Sequence, residues 1–177
     1  MATFRGHGLR GSTLEDIINR TNECYAVNGL ALIQKIPTPI TPVEMNAQKQ
    51  ITLAYFDSKS TVDYIGAVQG IPVCFDAKEL KTDTFPLHNI HEHQIELMEK
   101  YEKQGGISFI IAYYTHIGDM YYIPFRTIKM FWERMLSGGR KSFRLEEIDK
   151  TYKVQRKGEY LCHYLEPLNL DLAARDQ

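Results

Sequence analysis

The segment 107–114, Ile-Ser-Phe-Ile-Ile-Ala-Tyr-Tyr, is apolar at nearly every position and lacks the alternation of a strand with one face in water. A strand of that kind lies inside a sheet covered on both sides, so the rest of the chain must supply two flanking layers. Helical patterns are present to do so. Leu14, Ile17, Ile18, Thr21, Cys24 and Tyr25 recur at helical spacing behind Ser12-Thr13-Leu14-Glu15, which has the form of a capping box. This predicts a helix over Thr13–Val27, ended by Asn28-Gly29. Ile95, Leu97, Met98 and Tyr101 predict a second over 92–104, ended by Gly105-Gly106, and 125–136 reads as a third.

Strands are expected at 31–36, at 61–67 and 71–80 around a turn over 66–70, and at 120–124. One helical turn at 146–150 and extended chain over 152–165 complete the pattern. Pro37, Pro39 and Pro42 close the first strand. The insertion 39–56, with strand character from Gln50 to Phe56, is too long for an ordinary connection and is expected to project from the core. The order of elements favours an α/β fold, a mixed central sheet flanked by helices, and 177 residues suffice for a single domain spanning 1–177.

Within 71–80, Asp76 and Lys78 stand two positions apart, so a strand aims both at one face while Val73, Phe75 and Ala77 share the other. The hairpin brings Asp63 across to them. Two carboxylates and an ammonium on one face suit a hard divalent cation such as Mg²⁺ or Mn²⁺, which takes oxygen ligands and binds substrate phosphates. The chemistry indicated is metal-dependent phosphodiester hydrolysis on nucleic acid, with Lys78 activating water or screening phosphoryl charge. The competing reading is a surface hairpin with an ordinary Asp–Lys pair. Glu15 can serve as a helix cap or lean into the site, Glu79 should face away from Lys78, and Gln94 is a candidate contact to a phosphate or water. His88, His91 and His93 do not share one helical face and are expected to be structural or DNA-facing.

Three cysteines without a CxxC pair argue against both a disulfide framework and a structural zinc. No apolar run approaches the roughly 20 residues that span a bilayer, so a soluble intracellular protein is expected. Net charge is −1, which excludes global attraction to a polyanion, but 126–157 holds ten Lys or Arg against four Asp or Glu. Arg5, Arg10, Arg140, Lys141, Arg144, Lys153, Arg156 and Lys157 are the candidate phosphate contacts. No zinc-finger or leucine-zipper pattern is present, so base-specific reading is not indicated.

Several ordered motifs then converge. Arg10-Gly11-Ser12-Thr13-Leu14-Glu15, Lys35-Ile36-Pro37-Thr38-Pro39, Ser60-Thr61-Val62-Asp63-Tyr64 and Phe75-Asp76-Ala77-Lys78-Glu79 are followed by Phe85-Pro86-Leu87, His91-Glu92-His93-Gln94 and Gly138-Gly139-Arg140-Lys141-Ser142. Together they resemble RecU-type Holliday junction resolvases, a branch of the PD-(D/E)xK nuclease superfamily. The resemblance implies a restriction-endonuclease-like fold and a homodimeric, Mg²⁺- or Mn²⁺-dependent endonuclease that nicks two opposing strands of four-way junction DNA in recombination and repair. It carries catalytic roles onto Glu15, Asp63, Asp76 and Lys78, with Glu15, Asp63 and Asp76 holding metal, and makes 39–56 a stalk that enters the junction centre. Cys74 stands where relatives often have a carboxylate. Cytoplasmic location, in a bacterium or in the host of a phage, and recombination-protein partners would follow. A non-catalytic junction-binding module and a broader phage or restriction-type nuclease are the alternatives.

Overall fold

The computed structural model describes residues 13–56 and 61–175. In chain order the regular elements are α1 (Thr13–Val27), β1 (Ala31–Lys35), β2 (Ile40–Met45), β3 (Ile51–Phe56), β4 (Tyr64–Val68), β5 (Ile71–Leu80) and β6 (Thr84–Pro86). They continue with α2 (Glu92–Lys103), β7 (Ile107–Tyr114), β8 (Asp119–Pro124), α3 (Phe125–Leu136), β9 (Ser142–Arg144), β10 (Lys153–Lys157), β11 (Tyr160–His163) and α4 (Leu165–Arg175).

Seven strands form one mixed sheet in the order β1-β4-β5-β7-β8-β10-β11. Only β5 and β7 run parallel, because α2 carries the chain from one end of β5 back to the start of β7. The side-chain period of two divides the core between the faces. Tyr64, Val73, Phe75, Phe109 and Ile111 pack with Leu14, Ile18 and Tyr25 of α1 and Leu168 of α4. Cys74, Leu80, Ile110, Ala112 and Ile123 pack with Ile95 and Met98 of α2 and Ile128 and Phe131 of α3. On the first face Tyr64, Phe75 and Phe109 lie in register, with stacked rings 4.7 and 4.6 Å apart.

The β4–β5 turn is shorter than the sequence indicates. Only Gln69 and Gly70 leave the ladder, with φ of 48° and 86°, the two-residue geometry whose twist suits adjacent strands. Gly66 is a strand residue paired with Ile33 and Val73, and a Cβ there would meet the Leu32 carbonyl oxygen at 2.1 Å. Glycine at that position answers a close backbone approach, which in the bare sequence looks like a turn signal. Helix α4 was not anticipated; the expected extended chain is the β10–β11 hairpin, and Leu165 begins a new helix. In the insertion, β2 and β3 pair only with each other and leave Ile40, Val43, Met45, Ile51, Leu53 and Tyr55 exposed. Among the described residues no helix is long and apolar enough to cross a membrane.

Candidate active site

Asp76 sits in the middle of β5, on the face covered by α2, and is fully buried. Its Oδ1 accepts hydrogen bonds from the Asp63 backbone N–H at 3.1 Å and from Gln94 Nε2 at 3.2 Å. Its Oδ2 lies 2.5 Å from Lys78 Nζ as an ion pair, yet it accepts no hydrogen bond of normal geometry. Asp63 immediately precedes β4, and its Oδ2 accepts the Ala77 N–H at 2.9 Å. The two carboxylates therefore clasp each other's strands, with Lys78 beside them and about a fifth of its side chain in solvent.

The electrostatics follow from this placement. Burial, reinforced by the like charge of Asp76, raises the Asp63 carboxyl to about 7, while the Ala77 N–H and Lys78 pull it back. A buried carboxylate oxygen without a hydrogen bond, next to a second carboxyl that resists ionising, fits a bound cation. The donor set fits a hard one. Among the described residues no three His, Cys, Asp or Glu side chains are gathered to hold a metal. Asp63 and Asp76 are thus a two-carboxylate set, and neutral oxygens, water and substrate phosphate would fill the remaining positions, as Mg²⁺ commonly requires.

Glu15, in the first turn of α1, is not gathered with them; its carboxylate pairs with Lys35. It stays close in the fold because the neighbouring Leu14 N–H donates to Glu79 Oε1 at 2.7 Å, fastening the start of α1 to β5 one residue past Lys78. Glu79 thus serves as the helix-facing carboxylate that the alternation of β5 predicts, capping a free N–H of α1. The Ser12 of the anticipated capping box lies outside the described residues.

Gln94 requires correction as a DNA contact. It is 5% exposed, its amide nitrogen donates to Asp76 and to the Thr61 carbonyl at 3.0 Å, and its oxygen accepts the His91 N–H at 2.9 Å. Its bonding capacity is spent inside the protein, so it orients Asp76 from α2. The signal was present in the sequence: Gln94 adjoins Ile95 on the helix flank that buries Met98. Thr61, which sequence reasoning did not single out, borders the site through its backbone carbonyl, for which side-chain identity carries no signal. His91 and His93 stack on one another with centroids 5.4 Å apart.

The basic candidates form two groups. Arg140, Lys141 and Arg144 lie around β9, which pairs with β6 just beyond the end of β5. Lys153, Arg156 and Lys157 lie on β10, towards the far edge of the sheet. Lys153 is half-buried against Asp119 at 2.7 Å and Lys157 reaches Glu166 at 2.5 Å, whereas Arg156 is exposed with no ion pair among the described residues. Arg5 and Arg10 lie outside the described residues.

The profile of the family described as Recombination protein U matches residues 9–170. The chain is 47% identical over 144 residues to the Holliday junction resolvase RecU of Bacillus pumilus, covering 78% of this chain and 69% of that one. It is 42% identical over 166 residues to the protein of the same name from a Geobacillus species, covering 91% and 80%. This chain belongs to the RecU family. Among solved structures it is similar to Archaeoglobus fulgidus Hjc, a Holliday junction resolvase, with 9% identity, a TM-score of 0.39, and coverage of 77% of this chain and 86% of that one.

Proposed function

We propose that this protein is a Holliday junction resolvase: an endonuclease that, as a homodimer, hydrolyses one phosphodiester in each of two opposing strands of a four-way DNA junction. The observation that carries the reading is the fully buried Asp76, with one oxygen lacking a hydrogen bond and Asp63 and Lys78 beside it, in a chain of the RecU family. An oxygen paired only with the partly exposed Lys78 keeps capacity for a further ligand. Two identical sites related by a two-fold axis match a substrate that needs paired, symmetric nicks.

Bound Mg²⁺ or Mn²⁺, held by Asp63 and Asp76, would supply Lewis-acid stabilisation of the phosphoryl oxygens and lower the pKa of an attacking water. The chain's own groups do the rest. Asp63 and Asp76, each accepting a backbone N–H beside the other, hold the two carboxyls and Lys78 in fixed relation at the junction of β4 and β5. Lys78, leaving its pair with Asp76 once that charge is otherwise neutralised, donates to the phosphoryl oxygen or orients the water whose oxygen bonds to phosphorus as the sugar oxygen departs. Gln94 keeps the Asp76 carboxylate from rotating. Glu15, which pairs with Lys35 beside β5, would become a third acidic group of the site only on leaving that partner.

Arg140, Lys141, Arg144, Arg156 and Lys157 supply phosphate contacts, with Arg5 and Arg10 in the N-terminal segment. The β2–β3 hairpin is the stalk of this single nuclease domain, its exposed apolar residues meeting the open centre of the junction. The protein acts in the cytoplasm. The test compares a mobile four-way junction with matched duplex in Mg²⁺, Mn²⁺ and EDTA, mapping nicks on all four strands. Paired nicks on the junction with either metal and none in EDTA are expected. Binding without products would make the chain a junction-binding module, and equal cleavage of duplex a general nuclease.

A further inference from the structure

The basic loop between α3 and β9 reads as a flexible Gly-Gly-Arg-Lys segment, but the structure ties it down at several points. Gly139 N–H donates to Arg134 O at 2.9 Å, Leu87 N–H to Lys141 O at 3.0 Å, Arg134 Nη2 to Ser142 O at 2.7 Å, and Leu145 N–H to Asp83 O at 2.7 Å. At the centre of these ties is one carboxylate. Glu147 Oε1 accepts from Arg134 Nη1 and Arg140 Nη2, both at 2.8 Å, and Oε2 accepts the Arg144 N–H at 2.9 Å. Arg134 is itself fixed, its guanidinium 4.7 Å from the Phe131 ring centroid and part of its side chain buried. Glu147 is therefore anchored from beneath and holds Arg140, which is more than half exposed, from above.

This module has a fixed relation to the cleavage site. β6, the strand that pairs with β9, starts six residues after Lys78 on the same run of chain, so whatever Glu147 orders is registered against the end of the catalytic strand.

We propose that Glu147 is a positioning residue for DNA: an acid whose work is to hold Arg140 and, through the Arg144 N–H, the backbone that carries the Arg144 side chain, in one fixed arrangement for contact with phosphates beside the cleavage site. The proposal rests on the reading of Arg140 and Arg144 as phosphate contacts. It makes a prediction of unusual sign. Bare charge counting says that removing a carboxylate from among three arginines strengthens binding to a polyanion. Positioning says the opposite, because each long side chain that must be ordered on binding weakens association.

The test measures junction binding by fluorescence anisotropy in EDTA at several salt concentrations, so that no step of cleavage enters. Glu147→Ala is expected to weaken binding about twofold to tenfold, the range for one or two side chains that must be ordered. Glu147→Gln, which keeps one of the two acceptor oxygens, should recover part of that loss. Adding Glu147→Ala to Arg140→Ala should cost less than it does in the wild type, since the two act through one contact. Thermal unfolding of each variant separates loop order from global stability. Glu147→Ala binding as tightly as wild type or tighter overturns the proposal, as does full additivity with Arg140→Ala. Should Arg140→Ala and Arg144→Ala both bind like wild type, it is the underlying assignment of this loop to DNA that fails, a separate and recognisable result.

Discussion

Among the described residues two aspartates are fully buried, and they are buried in opposite ways. Asp171, on α4, is saturated: Tyr122 donates to it at 2.6 Å, Arg126 pairs with its Oδ1, and Arg175 reaches its Oδ2 at 3.1 Å. Asp76, on β5, has a second carboxyl beside it and an oxygen without a hydrogen bond. At Asp171 opposite charges surround one acid, so the environment is complete and the ion cluster binds α4 to β8 and α3. At Asp76 two carboxyls share the single ammonium of Lys78, an arrangement that a cation from outside would complete. The first is a structural carboxylate; the second is the one we propose as a metal ligand.

Substitution separates the two. Asp76→Asn should reduce single-turnover junction cleavage by about 10³-fold or more while leaving junction binding within a fewfold, since it removes charge where the reaction develops it. Its stability should hold or rise, because repulsion with Asp63 disappears and the partly exposed Lys78 can return to water. Asp171→Asn should do the reverse, lowering unfolding free energy by about 3–5 kcal/mol by leaving cations around a neutral group, with cleavage per folded molecule nearly unchanged. Paired denaturant melts and cleavage assays decide it. Loss of stability in both variants, with no difference in chemistry, would erase the distinction.

The first of these sites was legible in the sequence and the second was not. Asp76 and Lys78 announce themselves because a strand's period of two is strict, so the apolar Val73, Phe75 and Ala77 assign the opposite face by elimination. The central strand 107–114 and the three helices up to Leu136 were legible for the same reason, as dense apolar periodicity. Asp171 lies in α4, where Pro167 and the run Leu168, Leu170, Leu172 blur the helical pattern against an extended one, and two of its three partners, Arg126 and Tyr122, are 45 and 49 residues away. Glu147 was not singled out for a related reason: its meaning lies in contacts to Arg134 and Arg140 across a loop. Gln94 was noticed but assigned to DNA, although its place beside Ile95 on the flank of α2 that buries Met98 points inward; which buried acceptor it serves is set by a contact 18 residues away.

Smaller effects sharpen the contrast. In metal-free protein Asp63 ionises near 7 when folded and near 3.8 when unfolded, so between those values the folded state holds the extra proton. Stability contributed by Asp63 is therefore greatest at acid pH and declines as pH rises through that window. Melting in EDTA at pH 4.5 and 7.5 should show wild type losing more than Asp63→Asn, and Mg²⁺ should restore the difference at the higher pH. A wild type and variant with parallel pH profiles would mean that the two carboxyls do not interact as placed. Lys78→Ala should slow the chemical step about 10²-fold and change the junction dissociation constant little.

The smallest effect concerns the far edge of the sheet, where the same comparison of satisfied and unsatisfied charge applies to cations. Lys153 is held by Asp119 and Lys157 by Glu166, whereas Arg156 between them on β10 is exposed with no ion pair among the described residues. On β10 a lysine that keeps its carboxylate partner when DNA arrives releases few counterions, and an arginine that meets a phosphate without one releases its full share. Arg156→Ala should therefore lower the slope of log affinity against log salt by about 0.9, the value for one duplex phosphate contact, while Lys153→Ala changes it by much less. Equal slopes for the two variants would mean that β10 meets DNA as an undifferentiated basic surface, or does not meet it, and would confine phosphate recognition to the loop beside β5.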